Sequence, residues 1–240
     1  MFLKSLDELL RGTRTQISGT DEPRLPLSTF LPLAIGLGAT YGFFMGWFQI
    51  SNRWGTGAAD GYQQTIASMI KMPALFLLTL FVTFPSLYVF SALLGGRLAF
   101  GALLRLLVGS MVVSLAVAAS FGPILAFFTL STKTYPFMVV LNVVLLGISG
   151  LVGAGFLMKA VRRLAAPAPD PTRAAGAPTE EGPGAILGVW IVIYGTVGVQ
   201  MAWLLRPFIG HPNAEFTLFR VRENNFLSGL WHNLERLVGN

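Results

Sequence analysis

The sequence predicts an all-α fold: a polytopic membrane bundle of five transmembrane helices with an amphipathic helix at each end. Three observations predict it. Of 240 residues 53% are hydrophobic, and mean hydropathy is +0.64. Only 12% are charged, against about a quarter in a soluble domain. And no Asp or Glu occurs between Asp60 and Asp170, a stretch whose only bases are Lys71, Arg97, Arg105, Lys133, Lys159, Arg162 and Arg163. Ionised carboxylates are costly in hydrocarbon, so a lipid-embedded chain omits them.

Residues 1–28 form the N-terminal segment. Phe2, Leu3, Leu6, Leu9 and Leu10 share one helical face, while Lys4, Asp7, Glu8 and Arg11 fall elsewhere. The acids at Asp7 and Glu8 and the lack of an apolar core there argue against a signal peptide.

The transmembrane domain covers residues 29–206. Span one is expected from Leu31 to Ile50, with Pro26 and Pro32 at its start and Trp54 in the headgroup belt. Asp60 to Met72 reads as too polar to cross. Tyr62, Ile66, Met69 and Ile70 recur at helical spacing, which predicts a separate helix lying in the interface. Pro73 then opens span two, to about Leu94, with a kink at Pro85. Span three runs from Phe100 to Leu130, interrupted by Gly122-Pro123, and span four from Pro136 to Met158. Residues 165–184, rich in Ala, Pro and Gly, read as a disordered linker. Span five covers Ala185 to Leu205, and residues 207–240 read as an extramembrane tail.

Five spans put the termini on opposite sides. The N-terminal side collects ten of the 17 Lys and Arg residues, which places the N-terminus in the cytoplasm. The net charge of +6 sits at span ends, so anionic headgroups rather than nucleic acid are the expected counter-charge. Arg97, Arg105, Lys159, Arg162 and Arg163 are the expected headgroup contacts.

Absent residues exclude chemistry. With no cysteine there is no disulfide, thiolate metal site or thiol catalysis. His211 and His232, the only histidines, lie beyond the spans, so neither haem nor another cofactor is expected. No phosphate loop and no catalytic or metal-ligating constellation is present, so no enzyme activity is expected.

Packing faces are more informative. Gly38, Gly42 and Gly46 recur every fourth residue in span one; Gly147, Gly150 and Gly153 mark span four; Gly195 and Gly198 mark span five. Small residues let helix backbones approach closely in lipid, either within the bundle or against another subunit, and spacing does not separate these readings. Asn142 and Gln200 are the expected buried polar residues, helped by Thr79, Thr83, Tyr194 and Thr196.

In the tail, Phe226, Leu227, Leu230, Trp231, Leu234, Leu237 and Val238 share a face, with Glu223, Asn224 and Asn225 placed to cap the helix. That face needs a cover: the bundle, the headgroup layer or a docked protein. Phe226, Leu230, Trp231 and Leu234 are its expected contact residues.

Ser86-Leu87-Tyr88-Val89-Phe90, followed by Leu93-Leu94-Gly95-Gly96-Arg97-Leu98-Ala99-Phe100, resembles the second-to-third-span region of Yip1-like membrane proteins. That resemblance implies five spans, a cytoplasmic N-terminus and a non-enzymatic membrane organiser or adaptor. The tail from Arg206-Pro207-Phe208 to Asn225-Phe226 is similar to a group of bacterial multi-span proteins, which implies the bacterial cytoplasmic membrane. The extended aromatic tail departs from the usual Yip1 pattern.

The function expected is an accessory or scaffold subunit that packs against other membrane proteins through its glycine faces and tail. The rival is a channel or carrier for a neutral or anionic solute, its path lined by Arg97, Arg105, Asn142 and Gln200. A lipid-modifying enzyme would need acids or histidines clustered at one interface, and the sequence has none.

Overall fold

The computed structural model describes residues 7, 27–52, 58–93, 100–165, 184–210, 216–219 and 226–238. The N-terminal helix, the linker, Arg97, His211 and residues 223–225 therefore lie outside the described residues, as does most of the Gly95-Gly96 turn.

Seven helices occur among the described residues: α1 (Leu27–Asn52), α2 (Ala58–Leu93), α3 (Phe100–Ser120), α4 (Gly122–Ser131), α5 (Tyr135–Ala165), α6 (Gly184–Leu205) and α7 (Phe226–Val238). They supply five stretches long and apolar enough to cross a membrane: Leu27–Asn52, Gly61–Ser86, Leu103–Ser131, Tyr135–Ala160 and Gly188–Leu205. The chain is an all-helical bundle with the composition of a multi-pass membrane protein.

Two elements match their expected breaks. Gly122-Pro123 divides the third crossing, with Pro123 in the first turn of α4. The Phe121 amide is shared between the Val117 and Ala118 carbonyls, at 3.3 and 3.0 Å. Gly122 is required there because a Cβ would strike the Phe44 ring. Pro136 stands in the first turn of α5, where its missing N–H leaves no gap.

The second crossing differs from expectation. Asp60 to Met72 is not a separate interfacial helix, and Pro73 does not open a span: α2 runs unbroken for 36 residues through both Pro73 and Pro85. The hydroxyls of Thr79, Thr83 and Ser86 bond back to carbonyls of the preceding turn, at 2.7 Å each. Polar side chains are thereby satisfied without leaving the helix.

The physical reason lies in which face is buried. Tyr62, Ile66 and Ile70, three of the apolar positions at helical spacing, are exposed, whereas Gln64, Thr65, Ser68 and Lys71 are buried. In lipid the apolar face can stay outside and the polar face must find partners within the bundle.

α1 packs most extensively on α2, and α3 on α5 and α1. One apolar core gathers Phe30, Leu80, Leu106, Met111, Leu115 and Trp190. A second gathers Tyr41, Met45, Phe48, Met72, Leu125, Met138 and Ile209.

Candidate functional site

The glycines sort into two populations. Gly38, Gly42 and Gly46 are occupied internally, forming the groove in which α2 lies. A Cβ on Gly38 would sit 3.1 Å from Pro73, and one on Gly46 would sit 2.5 Å from the Thr65 Cα. On Gly42 it would fall on the Ser68 carbonyl. Gly153 is closed in the same way by Ser110 and Ser114 of α3, whereas a Cβ on Gly198 would make only ordinary contact with the Thr79 methyl, at 3.6 Å. By contrast, a Cβ on Gly147, Gly150 or Gly195 would have nothing within 4 Å. Those three stand on the exposed faces of α5 and α6.

The two expected buried polar residues separate as well. Asn142 is buried at 3% exposure, accepting a bond from the Tyr41 hydroxyl at 3.0 Å and donating to the Met138 carbonyl at 2.8 Å. Gln200 is not buried: it is exposed on α6, one turn beyond the exposed Thr196. Its helix packs through Gly198 and Leu205, which fall on the opposite side at ~100° per residue. Gln200 makes no hydrogen bond among the described residues. Thr196 returns its hydroxyl to the Val192 carbonyl at 2.9 Å. Two residues of the rival conduit are thus not brought together: Asn142 is buried and Gln200 exposed. Arg105 is half-buried in α3, and Lys159 is exposed on α5. The side chains of Arg162 and Arg163 lie outside the described residues, although their backbone continues α5.

A polar cluster that sequence reasoning did not single out binds the start of the tail. After Leu205 the helix ends, the Arg206–Pro207 peptide is cis, and Pro207, Ile209 and Gly210 are buried. Gln64 donates its amide to the Pro207 and Phe208 carbonyls, at 3.0 and 3.1 Å. Ser68 donates to the Phe208 carbonyl, and the Lys71 ammonium donates to Pro207 at 3.1 Å and also to Leu218. The same ammonium stands 5.2 Å from the centre of the Phe219 ring. Gln49 of α1 lies against Gly210, where a Cβ would collide with the glutamine amide. Residues 206–210 therefore form a strap lodged in the bundle, not the start of a tail that leaves it. Unwound backbone beside a membrane-crossing stretch requires such donors, because hydrocarbon supplies none. Gln64, Ser68 and Lys71 follow an i, i+4, i+7 spacing, and that pattern was the available signal.

The last helix sits beside the end of α6. Phe226 meets Trp203 edge-on at 6.2 Å, Gly229 is pressed on the Trp203 indole, and the Arg206 guanidinium lies 3.4 Å from that ring. Of the expected contact residues, Phe226, Leu230 and Leu234 are partly covered and Trp231 is exposed. Trp231 donates to Glu235 at 2.6 Å, and His232 lies 3.8 Å from the same carboxylate. No group of three or more His, Asp or Glu residues suited to hold a metal occurs among the described residues.

Comparison of the chain with protein-family models, curated proteins and solved structures returned no match.

Proposed function

We propose that this chain is a non-catalytic accessory or scaffold subunit of a bacterial cytoplasmic membrane, with its N-terminus on the cytoplasmic side. It offers the outward faces of α5 and α6 to a neighbouring membrane protein, in keeping with its resemblance to Yip1-like organisers.

One observation carries the reading. Gly147, Gly150 and Gly195 leave open surface on α5 and α6, and Gln200, which bonds nothing among the described residues, is exposed on α6 as well. A side-chain amide facing hydrocarbon gains about 0.6–2 kcal/mol from an interhelical hydrogen bond. Small residues on exposed helix faces let a partner backbone approach closely. The fifth crossing is also the least buried of the five.

The test places a photoreactive residue at Leu151 on α5 or at Val192 on α6, both exposed, with exposed Phe81 of α2 as reference. Irradiation of native membranes should give discrete polypeptide adducts from the first two positions and none from the third. A chain that gives no adduct from either and elutes as a lone monomer in mild detergent sinks the proposal.

A further inference from the structure

α7 is held on one flank only, and what remains of its surface divides cleanly by chemistry. Phe226, Leu230, Asn233 and Leu234 are partly covered, and Gly229 is seated on Trp203. Beside that flank runs an apolar strip of Leu227, Trp231 and Val238, exposed at 74%, 64% and 82%. Beyond the strip lie Ser228, His232, Glu235 and Arg236, all exposed. At ~100° per residue the three sectors follow one another around the helix; Leu237, exposed at 37%, falls at the end of the covered flank. A helix wholly in water would leave the apolar strip uncovered, and one wholly in hydrocarbon would strand Glu235 and Arg236. Contact of its Phe226 with Trp203 ties the helix to the last turn of α6, where the fifth apolar stretch ends.

We infer that α7 lies at the membrane boundary, with its Leu227–Trp231–Val238 strip in contact with lipid. Its His232–Glu235–Arg236 sector faces water, and its third flank is braced on the bundle. The occupant of the exposed strip is the bilayer and not a protein. Trp231 stands at the seam between strip and polar sector, its ring toward lipid and its N–H bonded to Glu235. That division suits an indole, which has an apolar body and one donor. The inference does not depend on the outward faces of α5 and α6 having a partner.

Because the chain has no cysteine, a spin label can be placed at one site at a time. Leu227→Cys, Val238→Cys and Arg236→Cys would be labelled in the full chain, in nanodiscs of phosphatidylcholine and phosphatidylglycerol. Power saturation should show labels at 227 and 238 relaxed by oxygen, which concentrates in lipid, and sheltered from a water-soluble nickel chelate. The label at 236 should show the reverse. Nickel access at 227 and 238 would put the strip in water and overturn the inference. Shelter from both relaxants would put protein over the strip and overturn it equally. All three positions are exposed, so labelling leaves the bundle's packing intact.

Discussion

The Lys71 ammonium donates a hydrogen bond of 3.1 Å to the carbonyl of Pro207, a residue 136 positions away. With the second bond to Leu218, it holds the strap against α2. No carboxylate is needed, because carbonyl dipoles and the Phe219 ring face the cation.

Lys71→Met keeps the stem and removes the donors. Hydrogen bonds from charged groups contribute about 1.5–3 kcal/mol, so a loss of about 2 kcal/mol is expected. Amides of residues 208–210 and 216–219 should exchange faster in nanodiscs while those of α3 stay protected. Unchanged exchange in the strap would show that Gln64 and Ser68 suffice to hold it.

Gly42→Ala and Gly150→Ala should part company. The first drives a methyl into the backbone of Ser68 and Met69, which are 2.7 and 2.8 Å from its Cβ position. Overpacking of this kind costs about 1–3 kcal/mol or more. The second meets open space and should leave the unfolding midpoint of the purified chain within error. Equal loss from both would contradict the division of the glycines.

Tyr41→Phe and Asn142→Leu remove the two ends of one buried bond. A double-mutant cycle should return a coupling of about 0.6 kcal/mol, the average for such pairs in membranes. A coupling near zero would mean that the hydroxyl and amide find other partners.

Gln200→Leu is expected to leave the isolated chain as stable as before, because the amide bonds nothing among its described residues. It should reduce photo-adducts from Val192, which lies on the same exposed face. Lower stability with undiminished adducts would assign Gln200 to internal packing.

Sequence reasoning reached the apolar stretches because acids and hydropathy report on solvent. It located the break before Pro123 and the helix start at Tyr135 and Pro136, where local backbone chemistry decides. It divided α2 because Gln64, Ser68 and Lys71 lower local hydropathy, while their partners are carbonyls some 140 positions later. Composition within a window holds no trace of such a partner. The glycine faces were readable as faces, but occupancy depends on how helices are arranged. Gly42 is filled and Gly195 is open although each sits in a glycine-bearing helix of similar hydropathy. Gln200 was misplaced for the same reason: periodicity identifies a face without saying which way it turns.

The strap also imposes an order on assembly. α2 leaves the ribosome long before Pro207 and Phe208 exist, so its polar face spends much of synthesis without them. Within α2, Ser68 bonds the Gln64 carbonyl at 2.8 Å and Gln64 reaches the Ser68 hydroxyl at 3.3 Å, a local arrangement that requires no later residue. Lys71 has no such substitute among the bonds seen here. A released chain truncated after Leu205 should therefore be cleaved near α2 by protease, and one truncated after Phe219 should resist. Equal resistance would show that α2 closes on α1 unaided; the expected difference would make the last part of the chain the latch for the first.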